Sequence, residues 1–276
     1  MAGKLYVVAT PMGNLGDITY RAVEILSNVA SIAAEDTRHS QRLLQHYQIT
    51  TTIFALNDHN EMAKSEMILS YLQQGDDIAL ISDAGTPLIS DPGFHLINFL
   101  RQHGIDIIPI PGPCAAIAAL SAAGLPTDQF YFVGFLPAKT KARQHVLEQL
   151  CAQTATLIFY EAPHRIVETL QDMVEIFGVR QAVIAREMTK TYETIKAGSL
   201  IELLDFTLSD DNQQRGEFVV LVHGYVKTSE LTLESQRIMR TLAEELPINQ
   251  AAKLASQISG AKKNVLYEWW LAQSRD

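Results

Sequence analysis

Short apolar runs punctuate the first 115 residues, at positions 5–9, 30–34, 77–81 and 105–110. Between them apolar residues return every three or four positions. Ala22, Ile25, Leu26, Val29 and Ala30 form one such series, and Met67, Ile68, Tyr71 and Leu72 another, closed by Gly75 in the place of a C-cap. Strands alternating with helices predict a largely parallel sheet covered on both faces. A second group of strand-like runs follows at 130–135, 155–160, 182–186 and 217–222, with helical stretches near 139–152 and 163–177. The segment 118–130 is rich in small residues and breaks at Gly124 and Pro126, which reads as a hinge between two α/β domains. From Ser229 onward the pattern is all-helical, over 233–246, 249–259 and 263–273, interrupted at Pro247 and Gly260. The expected organisation is an α/β fold with two α/β domains, 1–117 and 118–227, and a small helical domain at 228–276.

Composition narrows the function classes. At 47% hydrophobic and 19% charged residues, the chain can bury a substantial core. No run of eighteen apolar residues occurs, so no membrane span is expected. The first residues lead directly into the strand-like run at 5–9, unlike a signal or transit peptide. Cys114 and Cys151 lie far apart, which fits a reducing cytoplasm and offers no metal motif; the eight histidines show no HExxH spacing. The expectation is a cytoplasmic protein without a metal. A net charge of −9 argues against a globally basic nucleic-acid binder, so any RNA contact must use local patches.

The predicted strands end in distinctive loops. These are "ATPMGNLGDIT" (9–19), "AEDTRHS" (34–40), "ISDAGTPLISDPG" (81–93) and "PGPCAA" (111–116). In open α/β sheets ligands bind outside the carboxyl ends of the strands, so four such loops gather around one crevice. The first lacks both the G-x-G-x-x-G spacing and a P-loop lysine, and reads equally as a tight turn capped by Asp17. The second reads as a helix start capped by Asp36 or Thr37, with Arg38 paired to Glu35, or as part of an active site. In the third, Gly85 and Gly93 permit close approach and Pro87 and Pro92 stiffen the loop. Asp91 before Pro92 reads as an N-cap. Asp83 has no such local explanation. A loop with acid and no base suits a cationic or hydroxyl-rich ligand, and S-adenosylmethionine, a sulfonium with a ribose diol and no phosphate, is of that kind.

The ordered motifs "VVATPMGNLGDITYRA", "AEDTR", "ISDAGTPLISDPG", "PGPCAAIAAL", "GFLP", "FYEAPHRI", "AREMTKTYET" and "GEFVVLVHG" resemble the tetrapyrrole-methylase superfamily. Within it they are similar to the branch that methylates the ribose 2′-hydroxyl of a cytidine in the decoding region of small-subunit (16S) ribosomal RNA. The resemblance implies two α/β domains with the donor in the cleft between them, and a homodimer. It implies that S-adenosylmethionine is held by Pro11 and Gly13, by Ser82, Asp83, Ala84, Gly85, Thr86 and Pro87, and by Pro111, Cys114, Ala115 and Ala116. Tyr160, Glu161, Ala162, Glu187 and Met188 complete the implied pocket. Gly85-Thr86-Pro87 stands where tetrapyrrole enzymes carry Gly-Asp-Pro, and the first loop has fewer glycines than theirs; both favour the RNA branch.

Polar groups at strand ends offer candidates for catalysis: Glu35, Asp36, Arg38, His164, Arg186 and Lys190. His164 serves as base or phosphate ligand, or caps locally; Glu187 and Lys190 bound the pocket or form a surface ion pair. Lys139, Lys141 and Arg143 cluster after "GFLP", and with Arg165, Lys253, Lys262 and Lys263 are the candidate RNA contacts. The cluster reads alternatively as a solvated helix start, and the tail as a bundle packing Leu266 and Trp269 on the main body. The helix–Gly-turn–helix pattern of the tail has the shape of nucleic-acid-binding modules. Two other readings stay open: a C-methyltransferase acting on a porphyrin-like ring, and a non-catalytic ribosome-assembly factor.

Overall fold

The computed structural model describes residues 2–57, 60–226 and 231–273. Its first sheet contains β1 (Leu5–Val8), β2 (Ser31–Ala34), β3 (Thr52–Ala55), β4 (Ile78–Ile81) and β5 (Ile107–Ile110), in the order β3-β2-β4-β1-β5. Every pairing in it is parallel. Helices α1 (Tyr20–Asn28), α2 (Thr37–His46), α3 (Glu61–Gln73) and α4 (Phe94–Gln102) supply the crossovers. Strand alternation sends side chains to two cores. Leu5, Val7, Ile78 and Leu80 pack with Ile68 and Leu72 of α3 and Leu96 and Leu100 of α4. Val8, Ile32, Ala79 and Ile81 pack with Ala22 and Leu26 of α1 and Leu44 of α2. Strand β3 escaped the hydrophobic pattern: it is an edge strand whose residues are half-buried or exposed, so its apolar signal is weak.

The second sheet contains β6 (Phe130–Phe135), β7 (Thr156–Glu161), β8 (Gln181–Arg186), β9 (Thr194–Ser199) and β10 (Phe218–Val222), in the order β6-β7-β10-β8-β9. It is mixed: β6 and β7 are parallel, whereas β10 runs antiparallel to both β7 and β8, and β9 antiparallel to β8. Helix α5 (Ala115–Ala123) lies across residues 118–123, where the sequence suggested a hinge. Its small side chains Ala116, Ala119, Leu120 and Ala123 pack on Ile158, Val183, Val219 and Leu221 of the second sheet. The helix stops at Gly124, which takes the left-handed conformation at φ 66. On the opposite face, α6 (Thr140–Gln149), α7 (Ile166–Phe177) and α8 (Leu200–Ser209) enclose a core built on Leu157, Phe159, Ile184 and Val220. Helix α8 begins with a capping box between Ser199 and Glu202.

The chain separates into two compact units, Met1–Gly224 and Tyr225–Asp276. Both sheets belong to the first; the expected boundary at 227/228 falls outside the described residues. The second unit consists of α9 (Leu233–Glu245), α10 (Ile248–Ser259) and α11 (Lys263–Gln273) around Met239, Ala251, Ala252, Ala255, Ala261 and Leu266. Trp269 and Trp270 pack against this same core, their rings edge to face at 6.4 Å. Among the described residues no helix is long and apolar enough to cross a membrane, and no group of three His, Cys, Asp or Glu could hold a metal ion.

Candidate active site

The four strand-end loops of the first sheet are tied to one another by short hydrogen bonds. Thr10 and Gly85 exchange backbone bonds of 2.8 and 2.9 Å, made possible by Gly85 at φ 81. The Thr10 hydroxyl also donates to the Ser82 carbonyl at 3.2 Å. The Asp83 carboxylate accepts the backbone N–H of Asp36 at 3.0 Å, drawing in the loop after β2. The Thr86 hydroxyl donates to the Pro113 carbonyl at 2.8 Å, drawing in the loop after β5. Asp83 therefore has a structural task that local sequence could not reveal.

These loops form one wall of a cavity of about 490 Å³, a size that suits a small ligand. Met12, Glu35, Asp83 to Thr86 and Ile89 to Asp91 line it from the first sheet; Phe135, Tyr160 to Pro163, Met188 and Glu217 to Val219 line it from the second, with Cys114 and Ala115 at the start of α5. The Tyr160 hydroxyl accepts the Ala116 N–H at 3.1 Å, and its ring meets Phe132 and Phe135 edge-on. Burial, and next the neighbouring Cys114, push the phenol up to about 12, so it stays protonated at neutral pH.

Five of the described lining residues are carboxylates, and none is a lysine, arginine or histidine. Asp83, Glu161 and Glu217 are held by neighbouring groups. Asp83 holds the Asp36 N–H. Glu161, 2% exposed, accepts from the Ala162 N–H and the Thr169 hydroxyl and pairs with Arg165. Glu217 pairs with Lys190 at 2.9 Å. Asp91 differs. Helix α4 starts at Phe94 behind Gly93, whose φ of 127 lets the chain turn without a side-chain cap, so Asp91 is not the N-cap the sequence suggested. It lines the cavity instead. Burial, then the charge of Glu35, raise its pKa to about 7; a hydrogen bond with Ser82 opposes the rise and the charge of Asp83 adds to it.

Of the residues expected from the sequence, Glu35, Asp83, Ala84, Gly85, Thr86, Cys114, Ala115, Tyr160, Glu161, Ala162 and Met188 meet in this cavity. Pro11, Gly13, Ser82, Pro87, Pro111, Ala116 and Glu187 are not in its lining, although Ser82 and Ala116 hold residues that are. The Lys190 stem lies across Gly13, where an added Cβ would come within 2.4 Å of it. Its ammonium bridges Glu187 and Glu217, both at 2.9 Å. Burial lowers the lysine's pKa, but the two carboxylates outweigh it and the net direction is up. Glu187 sits at φ 50 and Thr189 at φ 66, a strained connection after β8.

Several expectations need correction. Arg38, expected to pair with Glu35, pairs with Asp36 at 3.0 Å, while Asp36 caps α2 as one reading of the loop had it. His164 is exposed in the turn before α7 and does not line the cavity. Arg186 is 7% exposed and spends its guanidinium on the carbonyls of Arg215, Asn212 and Tyr192, away from the cavity. Arg143 is 1% exposed and forms a buried ion pair with Asp172 at 2.5 Å, so it presents nothing to a phosphate. Arg165 is directed to the Leu136 and Pro137 carbonyls as well as to Glu161. Leu266 and Trp269 serve the core of the tail's own unit. Lys139, Lys141, Lys253, Lys262 and Lys263 are all exposed. The sequence reading missed Met12, Ile89, Ser90, Asp91, Phe135, Pro163, Glu217, Phe218 and Val219 as lining residues. For Phe135, Glu217, Phe218 and Val219 the strand pattern had already supplied a packing role; the other five lie in loops, where no periodicity marks a lining residue.

Residues 4–204 match the family of tetrapyrrole (corrin/porphyrin) methylases. The chain belongs to that family. Residues 229–274 match the RsmI C-terminal HTH domain. The methylase is 53% identical over 270 residues to a protein of Vibrio cholerae named ribosomal RNA small subunit methyltransferase I, covering 97% of this chain and 94% of the relative. A protein of Pseudomonas aeruginosa with the same name is 54% identical over 271 residues, covering 97% and 96%. Among solved structures, the methyltransferase CobJ superposes with a TM-score of 0.60 at 20% identity, covering 81% of this chain and 95% of that one. Uroporphyrin-III C-methyltransferase from Thermus thermophilus gives 0.57 at 19%, covering 80% and 94%. At these identities the structures establish the shared fold alone.

Membership makes S-adenosylmethionine the methyl donor, and the lining fits it. Carboxylates without competing bases suit a sulfonium, while Met12, Ile89, Phe135, Met188 and Phe218 offer apolar surface to a purine ring.

Proposed function

We propose that this chain methylates the ribose 2′-hydroxyl of a cytidine in the decoding region of small-subunit ribosomal RNA, acting in the cytoplasm as a homodimer. The observation that carries the RNA substrate is full-length similarity above 50% to proteins named for small-subunit ribosomal RNA methylation, together with the tail domain they share a name with. S-adenosylmethionine supplies an electrophilic methyl group on a positively charged sulfur. The chain's own work is to hold and align. The Gly85 loop, braced on Thr10, Asp36 and Pro113, forms the donor's floor, and Tyr160 with α5 forms a wall. Alignment of this kind removes about 7–11 kcal/mol of barrier in well-oriented systems. Lys139 and Lys141, at the start of α6, and Lys253, Lys262 and Lys263, on the tail, contact RNA phosphates; their exposure supports this role.

The test is methyl transfer from labelled S-adenosylmethionine to small subunits lacking the modification, followed by nucleoside mass spectrometry. The expected product is 2′-O-methylcytidine. Methylation confined to a base, or transfer to a porphyrinoid but not to RNA, overturns the reading.

A further inference from the structure

The reaction proposed above needs an acceptor for the ribose hydroxyl proton, and none of the six catalytic candidates apart from Glu35 lines the cavity. Asp91 lies on the donor loop and is placed with unusual care. Leu88 and Ser90, neither of them glycine, take φ values of 72 and 76 on either side of Ile89. Strain of this sort persists only where the surroundings over-determine it, and it gathers at functional sites. Here the surroundings come from both sheets: Leu88 packs against the core of the first, and Ser90 meets the second. Strand β6 carries a bulge between Phe132 and Gly134, and Gly134 packs against Ser90, leaving its hydroxyl 3.3 Å from where a Cβ would stand. Asp91 is thus fixed at the seam between donor loop and opposite wall.

The carboxyl is also chemically available. Asp83, Glu161 and Glu217 hold backbone N–H groups or cations, whereas the donor beside Asp91 is the Ser82 hydroxyl, which the Ala84 and Gly85 carbonyls also accept at 3.3 and 3.5 Å. One hydroxyl leaves most of a carboxylate's acceptor capacity unused. The titratable groups facing it are Glu35 after β2, Asp83 on its own loop, and Tyr160 across the cavity, beside Cys114. None is a base that would hold Asp91 permanently ionised.

We propose that Asp91 is the proton acceptor for the nucleophilic ribose hydroxyl. This rests on the 2′-O-methylation reading. As the hydroxyl oxygen bonds to the methyl carbon, the carbon–sulfur bond breaks with its electron pair left on sulfur, and the hydroxyl proton passes to the Asp91 carboxylate. A base whose pKa lies near the working pH is the efficient choice, and Asp91 at about 7 meets that condition.

The experiment compares wild type, Asp91→Asn and Glu35→Gln on small subunits. Asp91→Asn is expected to lower kcat by about 10²–10⁴-fold, the usual contribution of a positioned base, and to abolish the acid limb of the pH–rate profile. Glu35→Gln is expected to keep that limb but move it to lower pH, because a like charge beside Asp91 is removed. A readout independent of turnover is unfolding of the donor-free protein. A raised carboxyl pKa adds stability that is present below 3.8 and lost as pH rises through about 7, so Asp91→Asn should remove that loss. Calorimetric donor affinity should stay near wild type. Unchanged kcat and pH profile in Asp91→Asn overturn the proposal. So does loss of donor binding with kcat preserved at saturation, which makes Asp91 a sulfonium partner. A wild-type product without ribose methylation overturns the underlying reading, whatever the variants do.

Discussion

Replacing Arg143 by alanine separates two incompatible roles for one cation. In the sequence it stands with Lys139 and Lys141 as a phosphate contact; in the fold it is the largest of the fully buried side chains. Its Nε donates to Asp172 at 2.5 Å, and its Nη atoms reach the Ala138 carbonyl at 3.3 Å and Glu168 at 3.4 Å. Asp172, on α7, also accepts from Gln144 at 2.9 Å. Truncating Arg143 leaves the buried carboxylate with that single amide. Breaking a buried pair from one side costs about 3–5 kcal/mol. For a unit of this size each kcal/mol lowers Tm by about 2–4 °C, so the expected fall is about 6–20 °C. The assay is thermal unfolding by far-ultraviolet circular dichroism, beside RNA binding across a salt series. Asp172→Leu with Arg143→Met should recover part of the loss, because an apolar replacement of the whole pair is often nearly neutral. The salt slope of RNA binding should not change in Arg143→Ala. A Tm within about 2 °C of wild type, with a slope reduced by about one, would refute the buried-pair argument.

Gly216→Ala combines a φ of 94 with a Cβ placed 2.4 Å from the Glu187 side chain, and is expected to cost about 1–3 kcal/mol, read as a lower Tm. Asp83→Ala leaves the part-buried Asp36 N–H without its acceptor and should cost up to about 1–3 kcal/mol, read as a lower Tm, and weaken donor binding by calorimetry as the loop after β2 loosens. Asp83→Asn keeps an acceptor oxygen and should bind more tightly than the alanine variant; equal weakening points to the charge instead. The hydrogen bond from Arg38 holds Asp36 down at about 2, so its share of stability is present above 3.8 and lost as pH falls through about 2. Asp36→Asn should flatten that acid limb in pH-dependent melting.

The legible parts of the molecule were those written in local pattern. Buried strands such as β4 and β10 are continuous apolar runs, and the tail helices end at Gly260 and near Pro247 as their punctuation requires. The edge strands β3 and β9 were not legible: neither has a fully buried residue, and neither is the continuous apolar run that betrays the edge strands β5 and β6. The same limit applied to the site. Glycine, proline and carboxylate marked the loop at 82–93, but the partners that decide each role are distant in sequence. The acceptor role of Asp83 depends on a residue 47 positions away, and the burial of Arg143 on one 29 positions away. Asp91 was misassigned because an aspartate before a proline is a frequent helix start, whereas Gly93 turns the chain by itself.

The chain has two tryptophans, and both belong to the core of the three-helix tail. Emission excited at the red edge of the absorption band, where tyrosine does not absorb, therefore reports on that unit alone. Circular dichroism weighs all the helices and strands together. A sample whose two optical signals melt at different temperatures reveals the tail and the two-sheet unit unfolding as separate transitions, each needing its own free energy. RNA added before the melt that shifts the emission transition alone locates its grip on the tail, without any label or substitution.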